Sequence, residues 1–268
     1  MLIEIQSNDN GRVKLVRKLH SKKGRSEEGK FVAEGINLVR ELFERGMKAD
    51  FVMSSKSAFE DEKSEAYAIL RDLASSDDAT LCVLNDRELE KISDAEHGID
   101  VLAVVSMPGR DINPEKLIGK SSNVLVLDRI QDPGNLGTLV RTAAAAGYSA
   151  VLALKGTADI YSPKVLRATA GTVFDIPFVY VDSEEDLMSI LKSCGKRLAV
   201  SDVRSGTAYY EADLKNDVAL VIGNEGNGVT DTLLDMADIR VTLPMKGGVE
   251  SLNAAVAGAL LMYESIRS

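Results

Sequence analysis

A polar loop leads into a wholly apolar helix near the carboxyl end of the sequence. The loop spans Leu243–Asn253 and contains two adjacent glycines, and the apolar stretch after it spans Ala254–Tyr263. Ser251 and Asn253 are side chains that accept hydrogen bonds from the free N–H groups of a helix's first turn. The glycines allow backbone conformations in which such groups face a ligand. The segment is therefore predicted to cap a core helix, and ligand binding by its backbone is the functional alternative.

Two further polar loops follow predicted strands. Asp128–Gly137 comes after the apolar run Val124–Leu127, and Gly223–Gly228 comes after Val218–Ile222. Because ligands of open parallel sheets gather at the carboxyl ends of the strands, we expect the three loops to form one site. The glycine-containing loop lacks the G-x-G-x-x-G fingerprint and the Lys-Ser or Lys-Thr of a phosphate-binding loop, which disfavours a nucleotide-dependent oxidoreductase. A tight strand-to-helix turn is the structural alternative for this loop.

The composition limits the classes of protein and site. Hydrophobic residues make up 45% of the 268 residues and charged residues 27%, as in globular proteins. No apolar run reaches the roughly 18 residues of a membrane span, and Met1–Asn10 lacks the pattern of a signal peptide, so we expect a cytoplasmic protein without a membrane partner. Cys82 and Cys194 lack the paired spacing of zinc sites, and the only histidines are His20 and His97. This inventory disfavours a Ser-His-Asp triad, and we expect no metal.

Basic residues are concentrated near the amino end of an otherwise acidic chain. The formal net charge of −9 by itself argues mildly against a nucleic-acid partner. Within residues 12–30, however, the acidic side chains are limited to Glu27 and Glu28. A solvated helix face without a ligand is one interpretation, and phosphate binding is the other. The residues predicted to contact phosphates are Arg12, Lys14, Arg17, Lys18, Lys22, Lys23 and Arg25.

Hydrophobic periodicity predicts two α/β units. Strands alternate with helices in the first hundred residues, where Ser21–Glu28 is predicted to be an exposed turn. A change to Pro, Gly, Asn and Ser places a linker at 107–122, between a first unit at 1–106 and a second unit at 123–268. The second unit is predicted to be a parallel sheet with packed helices. The predicted helices are 13–19, 34–45, 60–73, 86–92, 136–146 and 254–263, and the predicted strands are 51–53, 80–84, 101–106, 124–127, 150–154, 177–181, 198–201, 219–222 and 239–243.

Three segments resemble, in order, the motifs of the SpoU (TrmH) family of RNA ribose methyltransferases, in the SPOUT superfamily. They are Asn135–Ala143, Ile222–Val229 and Leu243–Ala254. The resemblance covers Val124–Glu264. Residues 12–106 resemble the smaller RNA-binding domain, similar to a ribosomal-protein fold, that often precedes it, although His97-Gly98-Ile99 departs from the usual turn.

The resemblance implies methyl transfer from S-adenosylmethionine to a ribose 2'-hydroxyl of RNA. It implies an α/β domain with a trefoil knot at its carboxyl end, preceded by a smaller α/β domain that binds RNA. The small amino-terminal domain favours ribosomal RNA as the substrate. The alternatives are a transfer RNA 2'-O-methyltransferase and a catalytically silent RNA-binding protein.

The resemblance also assigns site residues. Those implied to be catalytic are Arg141, Asn135, Ser251 and Asn253, with the last two hydrogen-bonded around Arg141. Because Asn135 and Arg141 are six positions apart, we expect them on nearly one helix face. A guanidinium pKa of about 12.5 to 13.8 favours Arg141 as a group that orients the nucleotide, with proton acceptance as the alternative. The residues implied to hold S-adenosylmethionine are Ser201, Thr207, Gly223, Asn224, Glu225, Gly226, Leu243, Met245, Ser251, Leu252 and Asn253.

Two apolar helices predict a homodimer built through the second unit. Ala254–Tyr263 has no charged residue, and Leu136–Ala146 has only Arg141. One sheet face cannot cover every side of both helices, so we expect the same helices of a second copy to do so, with Ala257 facing the partner. The alternative is cover by helices of the same chain, at Val165–Thr169 and Leu187–Leu191.

Overall fold

The computed structural model describes residues 1–5, 7, 9–75, 79–95, 98–108 and 113–267. His97 and part of the predicted linker, 109–112, lie outside the described residues. The chain forms two compact units, Met1–Gly109 with Asp159–Gly171, and Arg110–Ala158 with Thr172–Ser268. The segment Asp159–Gly171 was not expected in the first unit. The boundaries predicted at 1–106, 107–122 and 123–268 stay a prediction.

The helices and strands follow in chain order. Up to residue 106 they are β1 (Leu2–Glu4), α1 (Gly11–Leu19), α2 (Lys22–Glu28), β2 (Lys30–Glu34), α3 (Ile36–Glu44), β3 (Ala49–Ser55), α4 (Lys56–Glu60), α5 (Glu65–Ser75), β4 (Thr80–Leu84), α6 (Asp86–Ile92) and β5 (Val101–Ser106). After it they are α7 (Pro114–Leu117), β6 (Val124–Asp128), α8 (Pro133–Ala145), β7 (Ala150–Leu154), α9 (Pro163–Thr169), a 3-10 turn (Thr172–Phe174), β8 (Phe178–Val181), α10 (Glu184–Ser193), β9 (Arg197–Ser201), β10 (Thr207–Ala208), β11 (Val218–Gly223), α11 (Asp231–Asp235), β12 (Ile239–Thr242) and α12 (Ala254–Ser265).

The first unit is a mixed α/β sheet with packed helices. Among the described residues its strand order is β1-β4-β3-β5-β2, with β1, β4 and β3 parallel and β5 antiparallel to both β3 and β2. Helix α1 contributes Val13, Val16 and Leu19 to the core, where Met53 and Leu102 of the sheet are also fully buried. The small α/β unit predicted from the sequence is confirmed.

Two local predictions in this unit are wrong. Ser21–Glu28 is not an exposed turn, because α2 occupies it with Ser21 capping the N–H of Gly24 at 3.0 Å. A Cβ on Gly24 would lie 2.0 Å from the carbonyl oxygen of Lys18, so this glycine permits close packing of the chain. Glu34 belongs to β2 and not to the following helix, and its carboxylate accepts hydrogen bonds from Arg167 Nη1 at 2.6 Å and from the N–H of Asp94 at 2.8 Å.

The second unit is the predicted parallel sheet. Its strands run in the order β10-β12-β9-β11-β6-β7-β8 across the described residues, and every neighbouring pair is parallel. Strands β6, β7 and β11 are buried along their whole length, which explains their continuous runs of Val, Leu, Ile and Ala. The carboxyl ends of β6 and β11 are adjacent, with Asp128 paired to Gly223. No helix in the described part of the chain is long and apolar enough to cross a membrane.

Helices α8 and α12 pack against each other beside β11. Gly258 of α12 makes the close approach possible, since a Cβ there would lie 2.3 Å from Leu139 Cδ2 and 3.4 Å from Ile222 Cγ1. Asp132 caps α8 by accepting the N–H of Asn135 at 2.8 Å, and Pro133 supplies a first residue with no N–H to satisfy. These two helices fix the ends of the first and third polar loops.

Candidate functional site

Hydrogen bonds between side chains join the three polar loops. Asn253 Nδ2 donates to Asn135 Oδ1 at 2.8 Å, and Asn135 Nδ2 donates to Glu225 Oε1 at 3.0 Å. These residues are 118 and 90 positions apart in the sequence. The expectation that the loops meet at one edge of the sheet is therefore confirmed.

Asn253 is also the N-cap of α12. Its Oδ1 accepts the N–H groups of Ala255 at 2.9 Å and Val256 at 3.2 Å. The oxygen of the Asn253 amide therefore caps α12 while its nitrogen binds Asn135, so this one side chain links the third polar loop to the first. Ser251 is exposed and takes no part in this cap.

Glu225 holds the first loop against the second. Besides the amide of Asn135, its carboxylate accepts the backbone N–H groups of Gln131 at 3.3 Å and Asp132 at 3.2 Å. Burial acts to raise the pKa of this carboxyl, but the hydrogen bonds from Asn135 and from backbone N–H groups outweigh it and hold the pKa below its ordinary value. Glu225 is therefore a carboxylate acceptor at neutral pH, which fits an organising role.

The glycine-containing loop is closed by Asn224. Its Nδ2 donates to the carbonyl of Arg129 at 2.9 Å, and its Oδ1 accepts the N–H groups of Gly226 and Asn227, both at 3.0 Å. Gly223 has no room for a side chain, because a Cβ there would lie 2.4 Å from Gly228 C and from Val229 N. The loop therefore has one fixed backbone path between β11 and α11.

A cavity of about 380 Å³ lies against these loops, within the size range of small-molecule sites. Thr207 and Asn253 were predicted to bind the cofactor, but they are not among the residues that line the cavity. The predicted cofactor residues that line it are Ser201, Gly223, Asn224, Glu225, Gly226, Leu243, Met245, Ser251 and Leu252. Lining residues that were not individually assigned to the cofactor include Asp202, Arg204, Asn227, Leu234, Glu250 and Ala257, the last of which was expected to face a partner. The position of Asp202 and Arg204 directly after a parallel strand was a signal that could have identified them.

Arg141 is separated from this network. Asn135 is buried whereas Arg141 is exposed, so the expectation that they share a helix face is wrong. Six residues rotate an α-helix by about 240° beyond one full turn. The side chains of Asn135 and Arg141 therefore point in different directions. Among the described residues the Arg141 side chain has no hydrogen bond or ion pair, and the predicted bonds from Ser251 and Asn253 are not made.

The basic residues of the first unit lie on α1 and α2. Lys14, Arg17, Lys22 and Lys23 are exposed, and the guanidinium of Arg12 lies 5.7 Å from the ring centre of Phe51. Lys18 Nζ lies 2.6 Å from Glu28 Oε1 and 3.0 Å from Glu27 Oε2. Those two carboxylates raise the pKa of Lys18. Part of the basic charge is therefore neutralised within the unit.

Arg25 differs from the other predicted phosphate-binding residues. Its side chain is only 4% exposed. Nε and Nη2 donate to Asp159 Oδ2 at 2.9 and 2.7 Å, and Nη1 donates to the carbonyls of Leu19 at 2.7 Å and His20 at 2.9 Å. Because all three guanidinium nitrogens donate within the unit and the side chain is buried, a phosphate contact is disfavoured, and the prediction for Arg25 is corrected to an internal role.

Comparison with known proteins matches both halves of the chain. The SpoU rRNA Methylase family model matches residues 122–263, and the MRM3-like substrate binding domain model matches residues 10–103. The chain is 34% identical over 267 residues to the 23S rRNA (guanosine(2553)-2'-O)-methyltransferase RlmP of Bacillus subtilis, covering 97% of this chain and 98% of the relative. An uncharacterized tRNA/rRNA methyltransferase of Synechocystis sp. is 30% identical over 268 residues, covering 99% and 94%. An AdoMet-bound rRNA methyltransferase from Sinorhizobium meliloti has a TM-score of 0.82 and 29% identity, covering 98% of this chain and 97% of that one.

Proposed function

Since this chain belongs to the SpoU rRNA methylase family, we propose that it transfers a methyl group from S-adenosylmethionine to a ribose 2'-hydroxyl of RNA. S-adenosylmethionine, when bound, supplies a methyl group on a sulfonium centre that is already a good leaving group. A ribose hydroxyl is a poor nucleophile until it is oriented and relieved of its proton. The protein's task is therefore to position both reactants, exclude water and accommodate that proton.

The proposal rests mainly on the chain of hydrogen bonds from Asn253 through Asn135 to Glu225. It fixes the three loops around one cavity whose lining suits S-adenosylmethionine. Ile222, Val241, Leu243 and Leu261 supply apolar surface for an adenine ring, and the loops supply backbone N–H and C=O groups for the polar edges. A rigid site of this kind positions a bound molecule at little entropic cost at the moment of reaction.

Arg141 is proposed to orient the RNA. Its planar group of N–H donors matches a phosphate or a ribose oxygen better than a point charge would. Its exposed guanidinium is available, because no described residue occupies it. Proton acceptance by Arg141 would need an extreme shift in pKa, so we assign it the orienting role.

Ribosomal RNA is the proposed substrate, and the first unit is proposed to bind it. The Bacillus subtilis relative, named for 23S rRNA, matches both units, and a substrate-binding family model matches most of the first unit. Lys14, Arg17, Lys22 and Lys23 are exposed cations suited to phosphate contact. Ribosomal RNA as substrate also supports a cytoplasmic location.

We also propose that two copies of the chain pair through α8 and α12. Val256, Leu260 and Tyr263 lie four and three positions apart on one side of α12 and are 50%, 43% and 52% exposed, so helices of the same chain leave this stripe open. Thr138, Arg141 and Ala145 form the exposed side of α8. A partner covering both stripes would bring its own Arg141 towards this chain's cavity, which Arg141 of the same chain does not line. The predicted trefoil knot stays a prediction.

A methylation assay tests the proposed activity. The protein is incubated with S-adenosylmethionine labelled in its methyl group and, separately, with ribosomal RNA and with transfer RNA. Label in ribosomal RNA that survives alkaline hydrolysis as a resistant dinucleotide is the expected result. Label only in transfer RNA would overturn the choice of substrate, and no transfer to either RNA would favour the silent RNA-binding protein.

The oligomeric state is tested separately, by light scattering. Leu260→Glu is expected to give folded, inactive monomers because it buries a charge in the proposed contact. Met236→Glu, at an exposed apolar residue of another helix end, is the matched control and should remain dimeric. Full activity of a monomeric parent protein would eliminate the dimer as a requirement.

A further inference from the structure

Arg204 is the only Arg or Lys among the residues that line the cavity, all of which are described. It lies in the loop that follows β9, at the same carboxyl edge of the sheet as the three polar loops. The other charged lining residues are Asp202, Glu225 and Glu250. Among the lining residues, Arg204 is therefore the one side chain that could form an ion pair with an anionic group in the cavity.

The loop that carries Arg204 is fixed by its own hydrogen bonds. The N–H of Asp202 donates to the carbonyl of Val241 at 2.9 Å. The Asp202 carboxylate accepts the N–H of Arg204 at 2.9 Å and the hydroxyl of Ser205 at 3.0 Å. Burial acts to raise the pKa of Asp202, but these hydrogen bonds and the nearby guanidinium lower it overall. The backbone of Arg204 is thus held at the cavity by an ionised carboxylate.

Gly206 closes the same loop against the edge of the sheet. Its φ of +146° belongs to a region that other residues rarely adopt, and a Cβ there would lie 2.8 Å from the carbonyl oxygen of Arg240. The loop therefore cannot be displaced towards β12. The exposed Arg204 side chain extends from this fixed backbone.

The guanidinium forms only long ion pairs with neighbouring carboxylates. Its Nε lies 3.5 Å from Asp202 Oδ1, and its Nη2 lies 3.9 Å from Asp231 Oδ1, an almost fully exposed carboxylate. The side chain is 69% exposed. The donors on its two terminal nitrogens are thus accessible to a ligand.

We propose that Arg204 binds the α-carboxylate of the methionine portion of S-adenosylmethionine, a step that rests on the proposed function. The cofactor carries one carboxylate, and a guanidinium binds such a group through two parallel hydrogen bonds. The Asp202 carboxylate also accepts the backbone N–H of Arg204, and its ion pair with the guanidinium is long, at 3.5 Å, which leaves the terminal nitrogens for a second carboxylate. Arg204 is therefore a cofactor-binding residue that distinguishes the complete cofactor from fragments without the amino acid.

Calorimetric measurement of the Kd for two compounds related to the cofactor tests this role. S-adenosylhomocysteine keeps the carboxylate, whereas 5'-methylthioadenosine has lost the whole amino acid. Arg204→Ala is expected to raise the Kd for S-adenosylhomocysteine by about 10- to 100-fold, the range for a lost hydrogen bond between charged groups. The Kd for 5'-methylthioadenosine should stay within about twofold.

Lys246→Ala is the matched control, since it removes one positive charge from a neighbouring loop at a residue that does not line the cavity. It should leave both Kd values unchanged. A thermal melt of each variant excludes unfolding. Arg204→Lys should recover only part of the affinity, because a single ammonium replaces the planar group.

The results separate three cases. A raised Kd for S-adenosylhomocysteine in Arg204→Ala, with an unchanged Kd for 5'-methylthioadenosine, supports the proposal. An unchanged Kd for S-adenosylhomocysteine, including the case in which Arg204→Ala raises only the KM for RNA, overturns it and leaves the methyltransferase function standing. Failure of the parent protein to bind S-adenosylhomocysteine at all would contradict the proposed function itself.

Discussion

Arg25 of the first unit and two arginines of the second, Arg141 and Arg204, have opposite surroundings. In the first unit, Arg25 is buried and directs its donors to Asp159 and to two backbone carbonyls. In the second unit, Arg141 and Arg204 are exposed. Arg141 has no hydrogen bond or ion pair to a described residue, and Arg204 has only long ion pairs, at 3.5 and 3.9 Å. Arg25 therefore joins Asp159–Gly171 to the rest of its unit, whereas Arg141 and Arg204 keep their donors for other molecules.

A second ion pair extends the contrast. Glu34 has no exposed side-chain surface and accepts Arg167 Nη1 from α9, in the same segment as Asp159. The ring of Tyr161, from this segment too, stacks on Phe31 at a centre-to-centre distance of 5.0 Å. A buried charge is stable only when it is paired, so saturation marks these residues as structural. The number of basic residues in a segment therefore does not show which of them can bind RNA until the partners of each side chain are known.

The largest expected effect is the loss of turnover in Arg141→Ala. Removing a charge that acts only on the bound substrate should lower the methylation rate at least about 1000-fold. The melting temperature and the Kd for S-adenosylmethionine should hardly change, because the side chain has no partner in the described structure. Arg141→Lys should fail as well. Turnover within a few-fold of the parent would show that Arg141 has no catalytic role.

Arg25→Ala should give the opposite pattern. Asp159 would remain as an unpaired, mostly buried carboxylate, and the free energy of unfolding of the first unit should fall by about 3 to 5 kcal/mol. Denaturant titration measures this quantity. Lys22→Ala, at an exposed residue of the same helix, should change it by no more than about 0.5 kcal/mol. If Arg25→Ala were as stable as the parent but bound RNA weakly, the internal assignment would be wrong.

Asn253 both caps α12 and holds Asn135 at the proposed site, and two substitutions can separate these roles. Asn253→Ala removes the cap and the bond to Asn135, which should cost about 1 kcal/mol of stability together with activity. Asn253→Asp keeps an oxygen for the N–H groups of Ala255 and Val256 but has no N–H for Asn135. It should therefore keep its melting temperature and lose about tenfold in turnover. Equal melting and equal turnover in Asn253→Asp would leave the cap as the residue's only role.

The smallest effect is expected from the exposed lysines of α2. Neutralising Lys22 and Lys23 should weaken RNA binding and reduce the slope of log K against log salt by about 1.4, at roughly 0.7 for each phosphate contact to single-stranded RNA. Binding of S-adenosylhomocysteine should not change. An unaltered slope of log K against log salt would favour the alternative interpretation, in which these lysines form a solvated helix face without a ligand.

Much of the fold was predictable because its signals are local. The buried strands of the second unit appear as continuous apolar runs, and Asn253 precedes α12 as a capping residue does. Helix α2 was missed because it has no apolar periodicity and contains Gly24, whose role is to let the chain pack against Lys18. Glu34 was assigned to a helix because its strand depends on pairing with β5, far along the chain.

The sequence by itself determined the parallel sheet, the three polar loops at its carboxyl edge and the apolar character of α12. Only the tertiary structure decided which side of that helix is free, leaving Leu260 exposed while Ala257, expected at a partner, lines the cavity. It also decided which polar groups are saturated, closing Arg25 on Asp159 and linking Asn253 to Asn135 and Glu225. The physical reason is that propensity, capping and hydrophobic runs depend on neighbours in the chain, whereas burial and hydrogen-bond partners depend on residues brought together from a hundred or so positions away.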